Sequence, residues 1–171
     1  ENGGLKVLDA VKVQRSSRAA VRMAVTMANE GIISRDEAIL RVEPRALSEL
    51  LHYQVDPRVP RTAVARGIAA SPGAASGKIV FSAADAQASA ARDEPCILVR
   101  RETSPEDIRG MHAAVAVLTE RGGITSHAAV IARGLGLPCI VGAGDIKLNA
   151  RDKTITSTTG QLFREGDVIT V

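Results

Sequence analysis

The chain has 171 residues, a formal net charge of +3, no Trp, one Tyr and two Phe. That length suffices for one domain with a real core and an appendage, and the alanine- and valine-rich apolar fraction predicts a core of small aliphatic side chains. Scarce aromatics argue against single-stranded nucleic-acid binding, which relies on stacking platforms, and no stretch shows a signal peptide or the roughly 20 apolar residues of a membrane span.

The first dozen residues read as strand-like, with Leu5, Val7, Leu8, Val11 and Val13. Residues 17 to 30 predict a helix with Ala20, Val21, Ala24, Val25 and Ala28 on one side, ended by Gly31. Arg15, Arg18 and Arg22 fit a solvated face. Ser34 to Glu37 is a capping-box pattern opening a second short helix. Pro44 suits the first turn of a third, which carries Leu47, Leu50 and Leu51, with His52 near its end as a structural or solvent-facing residue. Val55 to Arg61, rich in proline and charge, marks a linker.

Beyond the linker, short β segments alternate with helices. Strands are predicted at 63–68, 77–81, 96–100, 114–118, 138–141, 154–157 and 167–171, and helices at 83–91, 105–111 and 127–134. Ser82 and Ser104 are cap residues, and Ser71-Pro72-Gly73 reads as a turn. The alternation gives an α/β fold class. Cys96 and Cys139 sit in apolar runs without metal-ligand spacing and read as small core residues.

The densest chemistry lies at Gly122-Gly123-Ile124-Thr125-Ser126-His127. Ser126 is a good N-cap, which puts His127 at the first helical position, and Gly134 or Gly136 can end the helix. Free N–H groups and the positive end of the helix dipole favour an anion there. Gly122 and Gly123 let backbone amides approach a phosphate closely. Imidazole, with a reference pKa of about 6.5, is nucleophilic near neutral pH, so His127 is a candidate covalent phosphoryl acceptor. The same residues are also compatible with a loop that binds phosphate without chemistry, and with a His that merely caps a helix. Ser126 reads as a cap rather than a nucleophile, because no Asp–His pair is evident to activate it.

Residues 118 to 134, with Leu137-Pro138-Cys139-Ile140-Val141-Gly142 after them, resemble the phosphohistidine signature of the PEP-utilising enzymes. That family includes pyruvate, phosphate dikinase, phosphoenolpyruvate synthase and enzyme I of the sugar phosphotransferase system. Upstream, Glu30 to Pro44, Leu47 to His52, Gly67 to Gly77 and Glu102 to Ile108 resemble the dikinase branch.

The resemblance implies a swivelling β/β/α sandwich phosphohistidine domain preceded by a short helical linker. It implies boundaries at 1–16 for the end of an ATP-grasp nucleotide domain, 17–61 for the linker and 62–171 for the phosphohistidine domain. Gln14 and Arg15 would be ATP-binding remnants of the first. His127 would carry a phosphoryl group on Nε2 between ATP and phosphate chemistry at the ATP-grasp domain and pyruvate at a PEP/pyruvate barrel. The products would be phosphoenolpyruvate, AMP and pyrophosphate. Thr125 would support the phosphate or ring, and a threonine at this place in plant dikinases is a regulatory phosphorylation target. Arg133, Arg121 and Arg101 are candidate docking contacts. Mg²⁺ would belong to the other domains of a full-length enzyme, and the chain alone would not turn over. The resemblance further implies a cytoplasmic protein and a homodimer at full length, with neither nucleic acid nor membrane as partner. Two other readings stay open: a phosphocarrier of the phosphoenolpyruvate synthase or enzyme I type, and a non-catalytic domain that binds an anion or a partner.

Overall fold

A computed structural model describes Asp9 and residues 15–171. The strand-like opening and Gln14 lie outside the described residues, and Arg15 is exposed ahead of the first helix. The chain divides into two compact units, one ending at Leu51 and one beginning at His52.

The first unit is three helices, α1 (Ser17–Asn29), α2 (Arg35–Leu40) and α3 (Pro44–Leu51). Ser16 caps α1, its side chain accepting the Ala19 N–H at 3.3 Å. The inward stripe of α1 runs through Ala20, Val21, Ala24, Met27 and Ala28, while Val25, expected on that face, is exposed. At α2 the capping box is half made. Ser34 accepts the Glu37 N–H at 3.1 Å, but the Glu37 carboxylate turns forward to Arg41 at 2.7 Å instead of back to the cap. A one-turn ion pair along the helix competes for the same carboxylate. A hydrogen bond from the Ser17 hydroxyl to Glu49 ties α1 to α3.

The second unit is a three-layer sandwich. Its main sheet has six strands in the order β1-β5-β4-β3-β2-β9: β1 (Ile68–Ser71), β2 (Ser76–Val80), β3 (Cys96–Arg100), β4 (Ala116–Thr119), β5 (Cys139–Val141) and β9 (Val168–Thr170). The four central strands run parallel, and β1 and β9 close the two edges antiparallel. A second, antiparallel sheet is β6 (Ile146–Asn149), β7 (Thr154–Ser157) and β8 (Leu162–Arg164). Helices α4 (Ala83–Ala91), α5 (Ile108–Ala113, entered through a 3₁₀ turn at Pro105–Asp107) and α6 (His127–Leu135) cover the other face.

The two-residue period of the strands builds this layering. Val80, Cys96, Leu98, Val117, Cys139 and Val141 face the helices, where Ala86, Met111, Ala128, Ala129 and Ala132 meet them. Their neighbours Ile79, Phe81, Ile97, Val99, Ala116 and Leu118 face the second sheet and its Ile146, Leu148 and Ile155. Strands buried on both faces read as continuous apolar runs, as β3 does. Small side chains let the helices sit close. A Cβ on Gly110 of α5 would lie 2.5 Å from the Ala83 Cα of α4.

The predicted α/β sandwich holds, with two local differences. No strand forms at 63–67; the first begins at Ile68 and runs through Ser71, which pairs with Cys139 rather than opening a turn. At Gly67 a Cβ would come 2.5 Å from the Ile140 side chain, so the chain there is pressed against β5 where a side chain has no room. The short strands β6 and β8 were not anticipated. Both cysteines are buried in the core, and burial pushes the Cys139 thiol up to about 11.

Candidate functional site

The C-terminal ends of the parallel strands form one edge of the main sheet, the usual place for ligands in open α/β sheets. The chain leaves β4 at Thr119 and keeps its alignment with β3 for two more residues, since Glu120 N–H donates to Arg100 O at 3.0 Å and Arg121 N–H to Arg101 O at 2.9 Å. It then turns sharply. The buried Thr119 hydroxyl donates to Arg121 O at 2.6 Å, and Gly122 takes φ +113°. A Cβ at Gly122 would stand 3.1 Å from the Ser126 Cβ, and a Cβ on Gly142, after β5, would lie 2.6 Å from Gly122 O. These two glycines let the loops after β4 and β5 meet backbone to backbone. Gly123 differs: nothing lies within 4 Å of where its Cβ would be.

Ser126 N–H donates to Gly123 O at 2.9 Å, closing a turn. Ser126 takes extended backbone angles and its hydroxyl accepts the Ala129 N–H at 3.4 Å, the geometry of an N-cap. His127 is the first residue of α6, and Gly136, at φ +66°, caps the far end. Gly134 lies inside the helix.

The ring of His127 is half-buried, and its Nε2 is buried without a hydrogen-bond partner. The Thr125 hydroxyl therefore does not hold that nitrogen in this conformer; Thr125 itself is exposed. A second buried, unpartnered polar atom, Thr103 Oγ1, lies just beyond the end of β3, the strand paired with β4. Unpaired buried polar atoms cost about 1–3 kcal/mol each, and an edge that leaves two of them open is one that another group can complete. Thr103 was missed in the sequence. It stood in the family-like run before Pro105, but nothing in spacing alone marks a buried hydroxyl.

Arg133 has internal work, its Nη1 donating to Ala70 O at 3.2 Å and so fastening α6 to β1. Arg101 and Arg121 flank Glu120 at this edge of the sheet. Among the described residues no group of three or more His, Cys, Asp or Glu could hold a metal ion, and no helix is long and apolar enough to cross a membrane.

Residues 92–171 match the family described as PEP-utilising enzyme, mobile domain, so this segment of the chain is similar to that domain. More narrowly, the whole chain is similar to part of the pyruvate, phosphate dikinases. It is 48% identical over 171 residues to that of Rhizobium meliloti (strain 1021), matching all of this chain and 19% of the relative. It is 46% identical over 173 residues to that of Clostridium symbiosum, matching all of this chain and 20% of the relative. The chloroplastic pyruvate, phosphate dikinase of Flaveria pringlei is 51% identical over 156 residues, which are 90% of this chain and 16% of the relative. The chain thus spans about a fifth of the length of the curated relatives it matches.

Proposed function

We propose that this chain is the phosphohistidine carrier segment of a longer pyruvate, phosphate dikinase, and that His127 is the residue that carries the phosphoryl group. The observation that carries the reading is a histidine at the first position of α6, capped by Ser126 and preceded by the open backbone of Gly123. The Nε2 lone pair attacks phosphorus, an N–P bond forms and the P–O bond to the leaving group breaks, its electron pair departing with oxygen. The phosphoimidazole then passes the group to the next acceptor, so one hard transfer becomes two easier ones. Nε2 must be unprotonated to attack, which places the ring proton on Nδ1. Because Nε2 is buried in this conformer, the ring turns outward before it meets a donor, a side-chain motion far faster than turnover.

Residues 1–16 are assigned to the end of an ATP-grasp nucleotide domain, with Gln14 and Arg15 as its ATP-binding remnants, 17–61 to a linker and 62–171 to the carrier. The carrier swings between that domain, where ATP and phosphate react, and a PEP/pyruvate barrel, where pyruvate becomes phosphoenolpyruvate. The segment does not turn over alone, and the full-length protein is a cytoplasmic homodimer. Magnesium would neutralise phosphate charge at the remote stations. The residues described in this chain do not fit the ion, and no step here runs through it. Gly122 and Gly123 shape the loop, and Thr125, exposed two residues before the histidine, is the regulatory phosphorylation site. A phosphate there would repel the incoming one.

The buried Nε2 favours one competing reading, a domain that binds an anion and is never phosphorylated. Incubating the full-length protein with ATP and phosphate, or separately with phosphoenolpyruvate, distinguishes the two by intact mass. One acid-labile phosphoryl group is expected from either donor, and none in His127→Ala. No labelling of the folded wild type would leave the anion-binding reading standing.

A further inference from the structure

Arg101 and Arg121 follow the ends of neighbouring parallel strands, and their backbones stay joined by the Arg121 N–H to Arg101 O hydrogen bond of 2.9 Å. Both side chains reach for one carboxylate. Arg101 Nε is 3.8 Å from Glu120 Oε2 and Arg121 Nε is 3.9 Å from Glu120 Oε1. Glu120 is pinned from below, since its Oε2 accepts the Leu148 N–H of the second sheet at 3.0 Å and its side chain is only 15% exposed. Arg101 Nη2 touches Leu148 O at 3.5 Å, the limit of a hydrogen bond, and the Arg121 guanidinium donates no hydrogen bond among the described residues. Both arginine side chains stay more than half exposed, at 60% and 64%.

One carboxylate cannot satisfy two guanidiniums. The cluster keeps a net charge of +1 and a fan of unused N–H donors, with the arms already splayed by a fixed anchor. Such an arrangement loses less side-chain entropy on meeting an anion than two free arginines would. It stands at the start of the loop that ends in His127, on the same edge of the sheet.

We infer that Arg101 and Arg121, braced on Glu120, are a two-pronged docking contact for an acidic side chain on the protein surface that presents the phosphoryl donor. This rests on the carrier function proposed above. Exposure favours a protein carboxylate over a small-molecule phosphate. Rim arginines mostly steer and orient encounters and make them salt-sensitive, whereas groups that grip a reacting phosphate are withdrawn from water. The carboxylate would accept paired N–H bonds from the forks, as carboxylates do from arginine.

The test uses the full-length protein as wild type, Arg101→Glu/Arg121→Glu and Arg121→Ala, loaded from ATP with phosphate and, separately, from phosphoramidate, a small donor that needs no docking. ATP-driven loading is expected to fall at least tenfold in the double variant and about threefold in Arg121→Ala. Raising salt should slow the wild type and leave the double variant nearly unchanged. Phosphoramidate labelling should match the wild type in both, which also shows that the fold and His127 survive. ATP-driven loading at the wild-type rate would overturn the inference. So would an equal slowing with phosphoramidate, which would move the pair to binding phosphate itself; if the double variant fails to fold, Arg121→Ala and its salt dependence decide alone. A wild type that takes no phosphoryl group from ATP would instead remove the carrier function on which the inference stands.

Discussion

Three glycines within about twenty residues of one another do two different jobs. Gly122 and Gly142 are fixed by geometry: both have positive φ, and the second faces the carbonyl of the first. Alanine at either should cost about 1–3 kcal/mol through strain at a left-handed position, more at Gly142, where the clash is with backbone. Gly123 has open space around it, so Gly123→Ala should leave urea denaturation nearly unchanged while slowing phosphoryl loading. Equal destabilisation at all three positions would mean that the open face of Gly123 is not a place of approach. The histidine's place at the start of a capped helix was legible in the sequence, because Ser before an alanine-rich run is a local signal. The burial of Nε2, the orphaned Thr103 hydroxyl and the two arginines sharing Glu120 were not, since each depends on which strand lies beside which.

Helix α6 shows how much a cap contributes to the element that holds the site. Ser126→Ala removes the acceptor for the Ala129 N–H and should cost about 1 kcal/mol, while Ser126→Asp, which can also cap, should recover most of it. If the alanine variant melts like the wild type, the N-cap is not what fixes the start of the helix. Elements with a strong local signature were read well: α4 opens at Ser82, and β3 is an unbroken apolar run. Strands of three or four residues were harder. β6 alternates buried and exposed side chains through Ile146, Lys147, Leu148 and Asn149, yet four residues of alternation also occur by chance. β8 has three residues and exists because β7 pairs with it. β1 starts at Ile68, the last residue of the strand predicted at 63–68, and runs on to Ser71, the first residue of the predicted turn; pairing with β5 sets those bounds.

Across the second unit, one lysine ties the second sheet to the helix layer. Lys153, in the β6–β7 turn at φ +49°, reaches Asp85 of α4 at 3.2 Å and Glu165 after β8 at 2.8 Å. These groups stand at and beside a cavity of about 320 Å³ whose other charged residues, Lys78, Arg92 and Glu94, are likewise paired with one another. The Ser82 hydroxyl first, and Lys153 after it, hold the Asp85 carboxyl below its ordinary value. Its contribution is therefore fully present above the usual carboxylate range and is lost as pH falls through the lowered value. Glu165 first, then Asp85, raise Lys153, whose contribution is present below the usual lysine range and is lost as pH rises through the raised value. Lys153→Met should therefore lower Tm slightly at neutral pH and weaken the dependence of Tm on pH at both extremes. An unchanged pH profile would show that the clamp does not hold the layers.

The most direct measurement at this scale is where phosphorus sits. Full-length protein loaded from ATP and phosphate, kept alkaline, digested and mapped by mass spectrometry should carry one phosphoryl group on the imidazole of His127, discharged by pyruvate. A group found instead on Thr125, Ser126 or any other residue, with His127 bare, would contradict the assignment.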